Sequence, residues 1–375
     1  MKILLVATVQ SHICQFHRPL ADMLHRHGCE VHVAACDNLA EKNGLKLDFA
    51  ERVFDVPFRR SPFSPKNIDA YCRLKKIIDE GGYDVVHCNT PVGGVVGRLA
   101  ARKARRHGAR VLYTAHGFHF YKGAPRKNWL VWYPIEKLMC RYTDRLITVN
   151  EEDFRLAQSK FPVEAYHIHG VGVSTARYRP RSAEDTAALR RTEKLSVQDF
   201  VVLCTGELNA NKDQRTLIDA AVLCREKSPG LKVLLAGNGP LEAALRERLA
   251  DNHAEDFIRL LGYRTDLERV VPTADVIVSC SHREGLGLNL IEGMLCGKPV
   301  IAAENRGHRE LVENGVTGYM VPPSDCVAFA EKITALLNDA ALAARMGRAG
   351  HEKALLYTDE NVRRELAEIY GLGEN

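Results

Sequence analysis

The sequence predicts an α/β protein of two doubly wound domains, each built on a parallel sheet, facing a central cleft. Three observations carry this. The chain has 375 residues, 46% of them hydrophobic and 26% charged, enough for two packed domains of ~100–200 residues each. Short apolar runs alternate with longer runs of helical period, the pattern of a parallel sheet covered on both faces. The alternation occurs twice, and the break between the two series is Gly170–Pro180 (GVGVSTARYRP), which has two glycines, a terminal proline and no clear period.

In order, the chain opens on an apolar strand, Lys2 to Thr8, then a loop, then a helical stretch from Phe16 to His27 that Gly28 ends. Strands follow at Glu30–Ala35, Asp84–Cys88, Arg110–Thr114 and Arg145–Val149, separated by helical stretches such as Ile68–Glu80 and Gly94–His107. The second series places strands at Phe200–Cys204, Lys232–Ala236, Phe257–Leu260, Val276–Ser279 and Pro299–Ala302. Helices are expected near Gln214–Lys227, Pro240–Asn252, Asp266–Val271 and Leu288–Cys296, then over Asp325–Asn338 and the Ala-rich run Ala340–Leu356. The expected domains are 1–170 and 182–357 with 171–181 as linker. Residues 358–375 contain an amphipathic helix able to pack on either domain, the N-terminal one being the expected partner.

Composition removes several function classes. No run approaches the ~18 to 20 apolar residues that cross a bilayer, and MKILLVATVQ is too short and badly flanked for a signal peptide. Eleven cysteines with no C-x-x-C pair read as reduced core thiols of a cytoplasmic protein. The net charge of +5 conceals an asymmetry: residues 1–180 hold 28 Lys and Arg against 17 Asp and Glu, residues 181–375 hold 24 against 30. The basic half suits an anionic surface or phosphorylated substrate, but no nucleic-acid-binding motif accompanies it.

Open α/β sheets bind ligands at the C-terminal ends of their strands, so the cleft is the expected site. The loop after the first strand, Val9 to His12, has no glycine, and Gly93-Gly94-Val95-Val96-Gly97 misses the G-x-G-x-x-G spacing; no P-loop occurs. The glycine cluster instead lets a helix start close to the sheet. The densest segment is HREGLGLNLIEGMLCGKP, His282–Pro299. Gly285 and Gly287 permit a tight turn into a helix whose first N–H groups, at Leu288 and Asn289, favour a phosphate. Glu284 and Glu292 are suited to accept hydrogen bonds from sugar or ribose hydroxyls.

The run from Ser281 to Pro299 resembles the E-x7-E signature of family-4 retaining glycosyltransferases. The resemblance extends through Gly206-Glu207-Leu208 to Lys212, LLAGNGPLE at 234–242, LLGYRTDLERV at 260–270 and Val316-Thr317-Gly318-Tyr319. In the first half, HICQFHRPL at 12–20, TAHGFHFYKGAP at 114–125 and HGVGV at 169–173 are similar to bacterial members that build capsular polysaccharide, exopolysaccharide or lipid-linked oligosaccharide. The resemblance implies the GT-B fold, two doubly wound Rossmann-like domains, and a nucleotide-sugar site mainly on the second. It implies that Glu292 holds the ribose, that Gly285, Gly287, Leu288 and Asn289 line the phosphate and sugar, that Glu284 contacts the transferred sugar, and that Tyr263 and Arg264 edge the base. Lys212, following Gly206, neutralises the diphosphate leaving group. His116 matches the family's active-site histidine, with His119 as its near neighbour.

Two departures from the family pattern stand out. Glu207 occupies the place usually held by arginine, which leaves Arg215 or Arg18 to supply that diphosphate contact. The glycine-rich loop after the first strand is replaced by Ser11, His12, His17 and Arg18, of which His12, His17 and Arg18 are assigned with His119 to the acceptor or phosphate side. No D-x-D occurs, and no metal or other cofactor is expected. The basic run Arg102, Lys103, Arg105, Arg106 and Arg110, with Lys122, Arg126, Lys127, Trp129, Trp132 and Tyr133, is expected to dock on the anionic inner leaflet of the cell membrane, where a polyprenyl-diphosphate-linked saccharide acceptor resides. The expected activity is retaining transfer of a hexose or N-acetylhexosamine from a UDP-sugar. The alternatives are a UDP-sugar epimerase of the same fold and a non-catalytic nucleotide-sugar-binding protein.

Overall fold

The computed structural model describes residues 1–41, 44–225 and 228–373. Two compact units divide the chain: Met1–Gly172 with Asp359–Asn375, and Val173–Thr358.

The N-terminal unit runs β1 (Lys2–Val9), α1 (Gln10–Phe16), α2 (Arg18–Arg26), β2 (Glu30–Cys36), β3 (Arg52–Asp55), α3 (Lys66–Gly81), β4 (Val85–Asn89), α4 (Pro91–Ala100), α5 (Arg102–Arg106), β5 (Arg110–Ala115), α6 (Arg126–Met139), β6 (Arg145–Thr148), α7 (Glu151–Lys160) and β7 (Glu164–His167). Its sheet is parallel with order β3-β2-β1-β4-β5-β6-β7. The C-terminal unit runs α8 (Ala183–Thr192), β8 (Phe200–Thr205), α9 (Gln214–Arg225), β9 (Leu231–Ala236), α10 (Glu242–Asp251), β10 (Ile258–Gly262), α11 (Leu267–Val270), β11 (Val276–Ser279), α12 (Leu288–Leu295), β12 (Val300–Ala303), α13 (Arg306–Leu311), β13 (Gly318–Val321), α14 (Cys326–Asn338) and α15 (Ala340–Ala354). Its parallel sheet has order β10-β9-β8-β11-β12-β13. The chain closes on α16 (Asp359–Tyr370).

Both orders reverse direction between the first strand and the fourth. The crevice at such a switch point opens beyond the C-terminal ends of β1 and β4 in one unit, and of β8 and β11 in the other. Central strands are buried on both faces, as Ile3 to Ala7 and Val201 to Leu203 show, so they read as unbroken apolar runs.

The glycine cluster acts as expected. A Cβ at Gly94 would stand 2.5 Å from the Tyr113 ring, and one at Gly97 would stand 2.6 Å from the Cys88 sulfur. Only bare backbone lets α4 lie this close to β4 and β5. Beneath α4, Arg98 is fully buried and donates to Glu136 on α6 at 2.8 Å, with its guanidinium 3.8 Å over Tyr113.

Several expectations are corrected. Residues 10–15, expected to be loop, continue β1 directly as helix through Phe16; the chain then restarts as α2 at Arg18, because Pro19 suits a first turn and not a helix interior. The helix expected at Gly94–His107 is two helices and begins at Pro91. The short edge strands β3, β7 and β13 were not anticipated, since four residues carry too little alternation. The helix expected to reach Lys227 is described to Arg225, and Lys227 lies outside the described residues. The linker is firmer than its composition suggests: Val173 and Tyr178 are buried in the core of the C-terminal unit.

The helix α16 packs on α2 in the N-terminal unit, placing the Tyr370 hydroxyl 2.6 Å from His87 Nδ1. No disulfide joins the eleven cysteines, and seven of them are buried.

Candidate active site

In the C-terminal unit, β8 ends into Gly206, whose φ of +147° is open to glycine and strained for any side chain. A Cβ there would stand 3.3 Å from Lys212 Cε, so the bare backbone lets the lysine stem pass. The loop that carries the lysine is shaped by Asn209, whose Oδ1 accepts from the N–H groups of Asn211 and Lys212, both at 3.0 Å. Asn211 then ties this loop to the one after β11: its carbonyl accepts from His282 N at 2.8 Å and its Nδ2 donates to the Arg283 carbonyl at 3.0 Å.

The two loops bring Lys212 and Glu284 together. Lys212 Nζ lies 2.6 Å from Glu284 Oε1, with 24% and 15% of the side chains exposed. The pair is thus held by the protein yet open to a ligand. Beside it, α12 begins at Gly287 with no side-chain cap, leaving the N–H groups of Leu288 and Asn289 to an anion. Asn289 Nδ2 reaches back to the Thr205 carbonyl at 3.4 Å, and Gly285 lies in the half-buried turn before the helix.

Glu292 is half-buried one turn further along α12. Burial pushes its carboxyl up to about 7, against the pull of a hydrogen bond from Tyr178 and the nearby Arg177 guanidinium. An acceptor poised between charge states and partly covered by a phenol suits a pair of hydroxyls.

Sequence reasoning missed Tyr178, which it placed in the linker, and also His308. The His308 ring is buried against Gly287, where a Cβ would meet its Cδ2 at 3.1 Å. Its Nδ1 faces the Ala303 carbonyl at 2.6 Å, and its Nε2 is buried without a partner. The only sequence signal was an N-cap asparagine, Asn305, three residues before it.

Arg264 is held by two carboxylates. Its guanidinium forks between Glu193 and Asp266, with contacts of 2.7 to 3.2 Å, so its charge is committed to the protein. Tyr263 beside it is half-buried. Glu207 is exposed and accepts from Asn209 at 2.9 Å, and Arg215 is exposed at the start of α9.

In the N-terminal unit, α1 and the end of β5 form a histidine cluster. The ring of His116 lies 4.7 Å from His12 and 5.5 Å from His17, centroid to centroid. His116 Nε2 donates to Asn89 Oδ1 at 3.1 Å, and burial lowers its pKa to about 4, so it is neutral near pH 7. His119 belongs to another group: it stacks on Trp132 at 4.7 Å. A cavity of about 200 Å³ separates the two groups, lined by His12, His116, His119, Phe120, Trp132 and Glu136 among others. Arg18 lies outside the cluster, exposed, paired with Asp48 and 4.9 Å from the Phe49 ring. The aromatics expected at a membrane pack inward instead, with Trp129, Trp132 and Tyr133 against the unit's core.

Comparison with known proteins identifies the family and the fold. Residues 18–177 match the family model described as Glycosyltransferase Family 4, and residues 185–353 match Glycosyl transferases group 1. The chain is 45% identical over 372 residues, 98% of its own length and 96% of the relative's, to a Bacillus subtilis (strain 168) protein named "Putative glycosyltransferase EpsD". It is 28% identical over 303 residues, covering 79% of this chain and 77% of the relative, to the Escherichia coli UDP-Gal:alpha-D-GlcNAc-diphosphoundecaprenol alpha-1,3-galactosyltransferase. Among solved structures, Anabaena HepE in complex with UDP and glucose superimposes with a TM-score of 0.81 at 22% identity, covering 99% of both chains. Sucrose-phosphate synthase from Thermosynechococcus elongatus superimposes at 0.80 with 20% identity, covering 99% and 98%. The chain belongs to the family-4 glycosyltransferases and has their GT-B fold.

Proposed function

We propose that this glycosyltransferase moves a hexose or N-acetylhexosamine from a UDP-sugar to a lipid-linked saccharide, with retention of anomeric configuration, in exopolysaccharide or capsular polysaccharide synthesis. The carrying observation is the Lys212–Glu284 pair, at 2.6 Å, beside the uncapped start of α12. An ammonium and free N–H groups at one place form a site for a diphosphate, and carboxylates on either side accept hydroxyls.

Each group then has one task. When the donor binds, Lys212 turns from Glu284 to the diphosphate, and Glu284 becomes an acceptor for a sugar hydroxyl. Glu292 takes the ribose hydroxyls, with Tyr178 holding the carboxylate in place. As the bond between the anomeric carbon and the phosphate oxygen breaks, negative charge grows on the diphosphate, and the fixed ammonium stabilises it without a metal. The acceptor oxygen bonds to the anomeric carbon on the same face, and its proton passes to the departing phosphate oxygen. Support for the acceptor class comes from the Escherichia coli relative, an alpha-1,3-galactosyltransferase named for a diphosphoundecaprenol-linked substrate.

A membrane-facing surface fits this acceptor. On α6, Lys127, Leu130, Val131, Pro134, Leu138 and Arg141 at the helix end are exposed along one face, and Leu130 is 77% exposed. Aliphatic side chains among cations suit the anionic inner leaflet. The run 102–110 is less suited: Arg110 begins β5, at the strand end opposite His116, and Arg105 is paired with Asp144 at 2.7 Å.

The test is transfer from a panel of UDP-sugars to membrane lipid extract. Lys212→Ala should lower kcat/KM by roughly 100- to 1000-fold, about 3–4 kcal/mol, with an unchanged unfolding midpoint. Activity near wild type in that variant overturns the site assignment.

A further inference from the structure

The N-terminal unit holds three histidines that the transfer site leaves partly unused. One ring nitrogen from each of His12, His17 and His116 lies within 4.8 Å of the other two. His17 is 4% exposed, and its Nε2 and that of His12 are both buried with no hydrogen-bond partner. An unmade hydrogen bond at a buried nitrogen costs about 1–3 kcal/mol, and two rings of this one cluster each carry such a nitrogen.

The rest of the cluster is arranged to leave lone pairs free. Asn89 Nδ2 donates to the His87 carbonyl at 3.3 Å, so Asn89 Oδ1 faces His116 and accepts from its Nε2 at 3.1 Å. The proton of His116 therefore sits on Nε2, and Nδ1 keeps its lone pair. This is how an outer carboxamide or carbonyl orients a metal-bound imidazole. The fourth ring of the group, His87, has no such capacity: its two nitrogens are taken by Tyr370 at 2.6 Å and Thr114 at 2.7 Å.

We propose that His12, His17 and His116 form a binding site for a borderline-soft transition-metal ion, with Asn89 as the group that orients His116. Three imidazoles without a carboxylate or thiolate suit Zn²⁺ or Co²⁺ over Mg²⁺ or Ca²⁺. Metal–nitrogen bonds of about 2.0–2.1 Å set tetrahedral ligand nitrogens about 3.3–3.4 Å apart, so the three rings, now within 4.8 Å, close inward on binding. The fourth coordination position opens on the cavity of about 200 Å³ that His12 and His116 line. The site shares His116 with the expected transfer site but uses none of Lys212, Glu284 or Glu292. If the transfer reading holds, an ion here withdraws His116 from substrate and inhibits.

The test uses untagged, chelator-treated full-length protein titrated with Zn²⁺ by calorimetry and with Co²⁺ by visible absorption. One ion per chain, a four-coordinate Co²⁺ spectrum and a rise in unfolding temperature with Zn²⁺ are expected. His12→Ala and His17→Ala should each weaken binding by at least about 100-fold and Asn89→Ala by roughly tenfold. Should His17→Ala fail to fold, the half-buried His12→Gln gives the same readout. Absence of stoichiometric binding, or binding that His12→Ala and His12→Gln leave unchanged, overturns the proposal. Neither result bears on sugar transfer, which the Lys212→Ala assay tests separately.

Discussion

Glu292 shows how one residue's burial becomes a measurable property. Its carboxyl titrates near 7 in the folded chain against an ordinary 4.5, because burial disfavours the charged form. Between those values the native state holds a proton that the unfolded chain has released, so stability falls as pH rises from about 4.5 to 7 and then levels off. Glu292→Gln should flatten that segment in thermal melts across pH 4.5–8; an unchanged slope contradicts the assignment. Hydroxyl groups need the ionised acceptor, so UDP affinity in the wild type should tighten between pH 6 and 8 by calorimetry. The glycine-spaced pair Glu284 and Glu292 was legible because spacing and residue type together define it. Tyr178 and His308 were not, since a phenol that reaches a carboxyl from a linker and a ring buried under a glycine leave no pattern in sequence. The two carboxylate partners of Arg264, one of them Glu193 far along the chain, were not legible either, because only the fold brings them in.

At the scale of elements, α4 and α6 carry the N-terminal unit's sharpest dependence. Arg98 has no exposure, so removing its partner leaves a buried charge without compensation. Glu136→Ala should therefore cost about 3–5 kcal/mol, read as a loss of denaturation midpoint; a loss under 1 kcal/mol means that water reaches the guanidinium. The outer face of α6 has a different duty. Wild type should bind vesicles containing phosphatidylglycerol more tightly than neutral ones, with affinity falling as salt is raised. Leu130→Asp should abolish most of that binding in a sedimentation assay while leaving the melting curve unchanged. Binding equal to wild type removes α6 from the membrane surface. Strong apolar period made the central strands and long helices readable from sequence, whereas α1 was lost because a helix of seven residues directly after a strand has almost no period to show.

Over the whole molecule, the position of α16 changes the meaning of the charge asymmetry. Divided at Pro180, the chain has a strongly basic half and an acidic half, but α16 brings acidic residues to the N-terminal unit. The structural units carry 28 Lys and Arg against 22 Asp and Glu, and 24 against 25. The contrast shrinks to +6 against −1, so attraction to an anionic surface depends on where the cations of α6 lie more than on net charge. A doubly wound sheet with its switch point at the first and fourth strands was legible in each half, and it explains why Lys212 and Glu284, 72 residues apart, meet. We propose that this meeting point serves transfer to an acceptor. The most direct measurement is UDP release and product anomer, followed by NMR, with a UDP-sugar turned over in the presence and absence of a lipid-linked saccharide. Release should require the acceptor, and the product should keep the donor's anomeric configuration. Conversion of the UDP-sugar without acceptor, as an epimerase would give, or an inverted product, would contradict it.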